Sequence, residues 1–199
     1  MDNFLDTCII LATFDKKDKF HENSREFINN HKEIIISIYQ EKKELPFLFF
    51  RKEKIITEAI KVSAMPNYPP NLKDLTTKDQ IILKRTITKI KLQELSQQEL
   101  FIFKRDLILL KQEITYFINN KISKKVIPLE RIDLELVSKI KEKIKNEADS
   151  NILSSAIQEH QENKLIIITN DITDWKKEML IEVLKETKYK EVPGIKYLF

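Results

Sequence analysis

Glycine is almost missing from this chain: Gly194 is the only one in 199 residues. Walker A loops, Rossmann fingerprints and kinase glycine loops each need several glycines where backbone approaches phosphate. None of the three can be built here, so nucleotide-driven and dinucleotide-dependent chemistry lose their usual cradle. Cysteine is equally scarce. With Cys8 alone there is no intrachain disulfide and no thiolate zinc site, and the cytoplasm is the expected compartment. The histidines His21, His31 and His160 are scattered, with no pair at metal-ligand spacing. No apolar run approaches the roughly 18 residues that span a membrane. The opening "MDNFLDTCIIL" has an early Asp and no basic stretch, so it does not read as a signal peptide. Any chemistry is left to carboxylates.

What is present suits a globular protein. Hydrophobic residues make up 42% and charged residues 33%, enough for a proper core under a solvated surface. The net charge of +4 is too mild to announce a nucleic-acid binder. Its distribution is uneven, however: Lys78 to Lys125 holds eleven Lys/Arg against five Asp/Glu. That excess reads either as a solvated helical face or as a phosphate-facing patch.

Strand-like and helix-like stretches alternate. "NFLDTCIIL" reads as a short buried strand, an Asp at its end, and the start of a helix. "FHENSREFINNH" is polar and helical, and "KEIIISIY" has the β-branched content of a strand. In "QEKKELPFLFFRKEKIITEAIK" the apolar residues recur at helical spacing, with Pro46 suited to a first turn. "SAMPNYPPNLKDLTT" is a Pro-rich break. Two helices forming a hairpin follow, with Ser96 as the cap at the turn. "VIPLERIDLELVSKIKEKIKNEADSNILSSAIQEHQENK" adds two more, meeting near Asp149. "LIIIT" is the clearest strand, a continuous apolar run of the kind a parallel sheet buries on both faces. "WKKEMLIEVLKETK" is an amphipathic helix, and "VPGIKYLF" closes as a last strand. The expected fold is α/β with a mainly parallel central sheet. One domain over residues 1–199 is expected, with a helical insertion at about 63–126.

Acids sit at the strand ends. Asp6 follows the first strand, and "LIIITNDITDW" places Thr169, Asp171 and Asp174 directly after "LIII". Asp149 stands at the start of the apolar helix "SNILSSAI". Sites in open parallel sheets form outside the carboxyl ends of the strands. Clustered carboxylates repel one another unless a cation neutralises them, and all-oxygen ligands suit Mg²⁺ or Mn²⁺. Each acid also has a plain alternative, since Asp6, Asp149 and Asp171 could all serve as helix caps.

As an ordered set these residues resemble the PIN-domain nucleases. "FLDTCIIL" is similar to that family's first strand ending in Asp-Thr/Ser-Asn, with Cys8 where Asn or Ser is common. "IIISIYQEKKEL" resembles its second strand, which ends near a Ser and leads to a helical acid; Glu44 fills that place and Glu41 is the rival. "ADSNILSSA" matches the third acid at Asp149, and "ITNDITDW" the strand-terminal "TxDxDF" motif, with Trp175 for Phe. The resemblance spans residues 1–62 and 127–199. It implies a three-layer α/β/α sandwich. It also implies metal-dependent hydrolysis of phosphodiester bonds, most often in RNA, with Mg²⁺ or Mn²⁺ held by Asp6, Glu44, Asp149 and Asp171. Thr169 would orient a ligand or water, and Asp174 would be an outer ligand or a cap.

Lys84, Arg85, Lys89, Lys91, Lys104, Arg105 and Lys111 are the candidates for tracking a phosphate backbone. RNA is the expected substrate and no membrane contact is expected. A toxin role with a protein antitoxin, another protein partner and a homodimer all stay open. The competing reading is a catalytically silent PIN-like scaffold that binds a protein or RNA through its helical insertion. A haloacid-dehalogenase-type phosphatase ranks lower, because Cys8 occupies the place of its second Asp.

Overall fold

The computed structural model describes residues 1–198. The chain forms two compact units, one of Met1–Leu45 with the stretch from Ile114 onward, the other of Pro46–Glu113.

The first unit is mixed α/β around five parallel strands: β1 (Asp2–Leu5), β2 (Ile34–Ser37), β3 (Lys124–Val126), β4 (Leu165–Thr169) and β5 (Gly194–Tyr197). Their order is β3-β2-β1-β4-β5, all neighbours parallel. From β1 the chain moves outward through β2 to β3, then crosses back to lay β4 and β5 on the other side. Right-handed crossovers therefore put the connecting helices of the two halves on opposite faces. Helices α1 (Thr7–Phe14) and α2 (His21–Asn30) pack on each other in the β1–β2 connection. Helices α6 (Leu134–Ile144), α7 (Glu147–Glu162) and α8 (Lys177–Lys185) belong to the second half.

Burial follows this layering. Phe4, Ile35, Leu165 and Ile167 share one core cluster with Leu136, Ile140, Ile152, Leu153, Trp175, Leu180 and Val183 from the α6–α8 side. The alternate strand residues Leu5, Ile34, Ile36 and Ile168 are buried as well. With a side-chain period of two, both faces of the sheet are covered, which explains why "IIIS" and "LIIIT" show no polar alternation. The result is a three-layer α/β/α arrangement.

Two local features differ from the expectations of the sequence. Strand β3 is a member of the sheet, although "KKV" falls at the tail of a helical stretch. Three residues carry too little pattern to signal a strand, and Lys suits an edge. The second is a π turn at Gln40–Glu44, inside a helical run that starts right after Ser37 and continues as α3 (Leu45–Ala64). Pro46 sits in the body of that run, where it has no N–H to donate and its ring crowds the carbonyl four residues back. The widened turn just before it accommodates both problems: the Leu45 N–H reaches Gln40 O, five residues back.

The second unit is helical. It contains α3 from Pro46 on, α4 (Thr77–Lys91) and the first part of α5 (Gln97–Asn120). Ile55, Ala59, Leu75, Leu83 and Leu100 form its small core. It begins before the Pro-rich break because this face of α3 packs on residues of α4 and α5. The buried Glu58 carboxylate accepts from Lys61 Nζ and from the Asn71 N–H, both at 2.7 Å, which anchors the Pro-rich loop. Arg51 pairs with Asp79 at 2.9 Å. Thr76–Asp79 and Ser96–Glu99 form capping boxes at the starts of α4 and α5.

Candidate active site

Strand order reverses between β1 and β4, and there the crevice of an open parallel sheet lies beyond the carboxyl ends. Asp6 follows β1 and Thr169 ends β4. The Asp6 N–H donates to Ile168 O at 2.9 Å, fixing the two strand ends side by side. Asp6 occupies the N-cap position of α1 yet makes no side-chain cap. Its carboxylate instead accepts from the Thr169 hydroxyl (2.6 Å) and the Cys8 thiol (2.8 Å). The residue is only 4% exposed. Burial pushes its pKa up, and the hydrogen bonds from Cys8 and Thr169 restrain that rise.

Thr169 is fully buried and links two acids, since its oxygen also accepts the Asp171 N–H at 2.9 Å. Cys8 makes a second contact across the two strand ends: its sulfur accepts the Asn170 N–H at 3.3 Å. Burial and the neighbouring Asp6 push the thiol's pKa far above its ordinary range, so it stays protonated and donates.

The second strand reaches the same place through a residue that sequence patterns did not single out. Gln40 is fully buried in the π turn. Its amide oxygen accepts the Ser37 N–H (2.8 Å), and its amide nitrogen donates to Leu5 O (2.8 Å) and Thr7 Oγ1 (3.1 Å). One side chain thus staples the end of β2 to the end of β1. The Thr7 hydroxyl donates onward to Glu44. Glu41 is turned elsewhere, to Lys125 at 2.8 Å and Lys42 at 3.4 Å. Burial would raise its pKa, but Lys125 and Lys42 hold it below the ordinary carboxylate range. Of the two rival acids, Glu44 is the one joined to the β1 end. A Ser-x-x-Gln spacing after a strand was the available signal for Gln40, and its long-range partner gave no local trace.

Asp149 is the third residue of α7, whose cap is Asn146 after the left-handed Lys145. It accepts from Asn146 Nδ2. Its pKa is raised to about 7, first by burial and then by the negative charges of Asp6, Asp171 and Asp174. Asp149 on α7 therefore responds to the acids after β1 and β4. Asp174 is raised by burial and by Asp171. Asp171 is the exception: burial is outweighed by the Thr173 hydroxyl (2.6 Å), the Asp174 N–H (3.0 Å) and the Thr173 N–H (2.8 Å), so its pKa is lowered. All three bonds go to Oδ1. Neither Asp171 nor Asp174 caps α8, whose N-cap is Lys176. Tyr39 is half-buried, and burial together with the charges of Glu44, Glu147 and Asp149 raises its pKa.

Among the described residues no three His, Cys, Asp or Glu side chains form a ready-made metal cage. The donor set is nonetheless of the right chemistry for a hard divalent cation. It consists of carboxylate oxygens whose mutual repulsion already perturbs Asp149, and a cation would relieve that repulsion. The basic candidates lie in the second unit. On α4, Lys84, Arg85, Lys89 and Lys91 are exposed; on α5, Lys104 is half-buried, Lys111 is exposed, and Arg105 pairs with Asp106 at 3.2 Å. Comparison with known protein families, with characterised proteins and with solved structures returns no match.

Proposed function

We propose that this chain is a PIN-like, metal-dependent nuclease that hydrolyses phosphodiester bonds, with RNA as its substrate. The observation that carries the reading is the meeting of Asp6 and the Asp171 loop at the β1/β4 switch point, where the Thr169 hydroxyl donates to Asp6 and accepts the Asp171 N–H. Isolated helix caps do not require one buried threonine to join the acid after β1 to the loop after β4.

In this reading Asp6, Glu44, Asp149 and Asp171 hold Mg²⁺ or Mn²⁺, with Asp174 as an outer ligand. A cation so held supplies a water of lowered pKa and neutralises charge on the scissile phosphate. The chain's own contribution is placement. Thr169 aligns Asp6 with the Asp171 loop, and Gln40 with Thr7 sets Glu44 against the β1 end. Asp171 keeps Oδ2 for a ligand because Oδ1 organises its loop. The test is cleavage of labelled single-stranded and hairpin RNAs with Mn²⁺, Mg²⁺ or EDTA, beside Asp171→Asn. Cleavage that needs metal and is lost in the variant is expected; an Asp171→Asn protein as active as the parent refutes the assignment.

A second reading, a scaffold that docks a protein partner through its helical unit, draws on the surface of Pro46–Glu113. Among the described residues, eleven of the sixteen exposed large hydrophobic ones lie there, among them Phe101, Ile108 and Leu109. Exposed apolar surface of that density is characteristic of interaction sites. An antitoxin or a second copy of the chain would both suit it. A metal-free, cleavage-incompetent protein would favour this reading over the first.

A further inference from the structure

The net charge of +4 hides a division. Residues 46–113, the helical unit, hold thirteen Lys/Arg against eight Asp/Glu, while the rest of the chain holds 22 against 23. The whole positive excess belongs to the unit that carries none of the candidate acids. Helix α4 concentrates it, because Lys78, Lys84, Arg85, Lys89 and Lys91 are all exposed. Leu83 of α4 is buried in the unit's small core, with Ile87 and Ile90 packed against it. By the 3.6-residue period, Lys78, Arg85 and Lys89 fall on the opposite side of the helix, and Lys84 and Lys91 on one flank.

Nothing in the fold neutralises this face. The only acid of α4 is Asp79, and its Oδ2 already accepts from the Thr76 N–H, the Thr76 hydroxyl and Arg51. None of the five cations forms an ion pair among the described residues. Helix α6 shows the alternative: Lys139, Lys141 and Lys143 pair with Glu186, Glu147 and Glu182 at 2.9, 2.8 and 3.1 Å. On α4, Arg85 and Lys89 stand one turn apart, a like-charge spacing that weakens a helix. The line facing outward reads Ile81, Arg85, Thr88 and, at the C-cap, Leu92. Arg85 and Thr88 interrupt it, so it offers no continuous apolar seam to a partner helix and no apolar face to a lipid surface. The cations, by contrast, run along about 20 Å of helix at 1.5 Å per residue.

We propose that the outer face of α4 is a binding surface for the phosphate backbone of single-stranded RNA. Contacts of this kind hold and position the strand without reading its sequence. The choice of RNA as the polyanion rests on the nuclease reading above; the unneutralised face does not.

The test is the binding of a labelled oligouridine, followed by fluorescence anisotropy in EDTA so that no metal-dependent step contributes. At about 0.7 per neutralised phosphate, five cations give a log–log salt slope near −3.5, a loss of about a hundredfold in affinity from 50 to 200 mM salt. Arg85→Ala with Lys89→Ala keeps helix propensity, and is expected to make the slope shallower by about 1.4 and to weaken binding about tenfold at 50 mM salt. Lys139→Ala with Lys143→Ala removes the same charge from α6 and is expected to leave affinity within about twofold. No measurable binding, binding indifferent to salt, or an α6 pair that weakens it as much as the α4 pair overturns the proposal. So does competition by polyglutamate or phosphatidylserine vesicles as strong, charge for charge, as by unlabelled RNA, which would assign the face to an acidic protein or a membrane. The two readings can fail apart. Salt-sensitive binding through α4 without cleavage in Mn²⁺ or Mg²⁺ refutes the nuclease alone, and cleavage with binding indifferent to α4 refutes this surface alone.

Discussion

The two units solve the burial problem in different ways. In the first, the central strands are covered on both faces, and Phe4, Leu5, Ile36, Ile167 and Ile168 are shielded from water. In the second, α5 buries Leu100 while Phe101, Ile108 and Leu109 remain exposed. A parallel sheet cannot leave a face open, because its crossovers lay helices on both sides. A helical unit can, and this one does. The sheet therefore supplies a rigid frame on which acids can be held against their mutual repulsion. The helices supply apolar and basic surface that the fold does not need for itself.

That contrast can be broken deliberately, and the sharpest break is at the acids. Asp6→Asn is expected to lower metal-dependent cleavage by about a hundredfold or more, since it removes charge where the proposed reaction needs it. Folding, followed by circular dichroism, is expected to survive, because Thr169 and Cys8 can still donate to the amide oxygen. Next comes the sheet itself. Ile167→Ala leaves a hole in the doubly covered core and is expected to cost about 2–5 kcal/mol in denaturant unfolding. The same truncation at Leu109 is expected to stay within about 0.5 kcal/mol. Equal losses at both positions would mean that the α5 surface is buried in solution.

A smaller effect concerns pH. The Asp149 carboxyl has a pKa of about 7 in the fold against an ordinary 3.8, so the native state holds this proton more tightly than the unfolded chain. Its contribution to stability is complete below about pH 4 and is lost as pH rises through about 7. Asp149→Asn removes that loss. Without metal at pH 8 the variant is expected to melt a few degrees above the parent, and the difference should shrink steadily toward pH 4. At about 2–4 °C per kcal/mol for a chain of this size, calorimetry resolves the difference. A variant no more stable than the parent at pH 8 would mean that the acids do not repel one another. The sign is diagnostic, because a purely structural Asp would be missed when replaced.

The frame was legible in the residues because a buried parallel strand writes itself as a run of β-branched and aliphatic side chains. "IIIS" and "LIIIT" did so, and the acids after them marked the crevice. Strand β3 did not, because two of its three residues are lysines. Gln40 and the choice between Glu41 and Glu44 were hidden for another reason. Both depend on partners far along the chain, Leu5 and Thr7 in one case and Lys125 in the other. The π turn that orients them arises from Pro46, whose effect on the preceding turn has no compositional signature. Asp149 was placed at the right helix, but its coupling to Asp6 is a property of the sheet order.

The pairing of β1 with β4 also sets a timetable for biosynthesis. Phe4 and Leu5 lie against Ile167 and Ile168, so this strand pair cannot close until about 160 further residues have been made. At about 5–20 residues per second, β1 waits roughly ten to thirty seconds on the ribosome with one edge unpaired. During that interval Asp6 has neither Thr169 nor the Asp171 loop beside it. A chain stopped before β4 would carry Asp6 and Glu44 without the residues that pair with the end of β1.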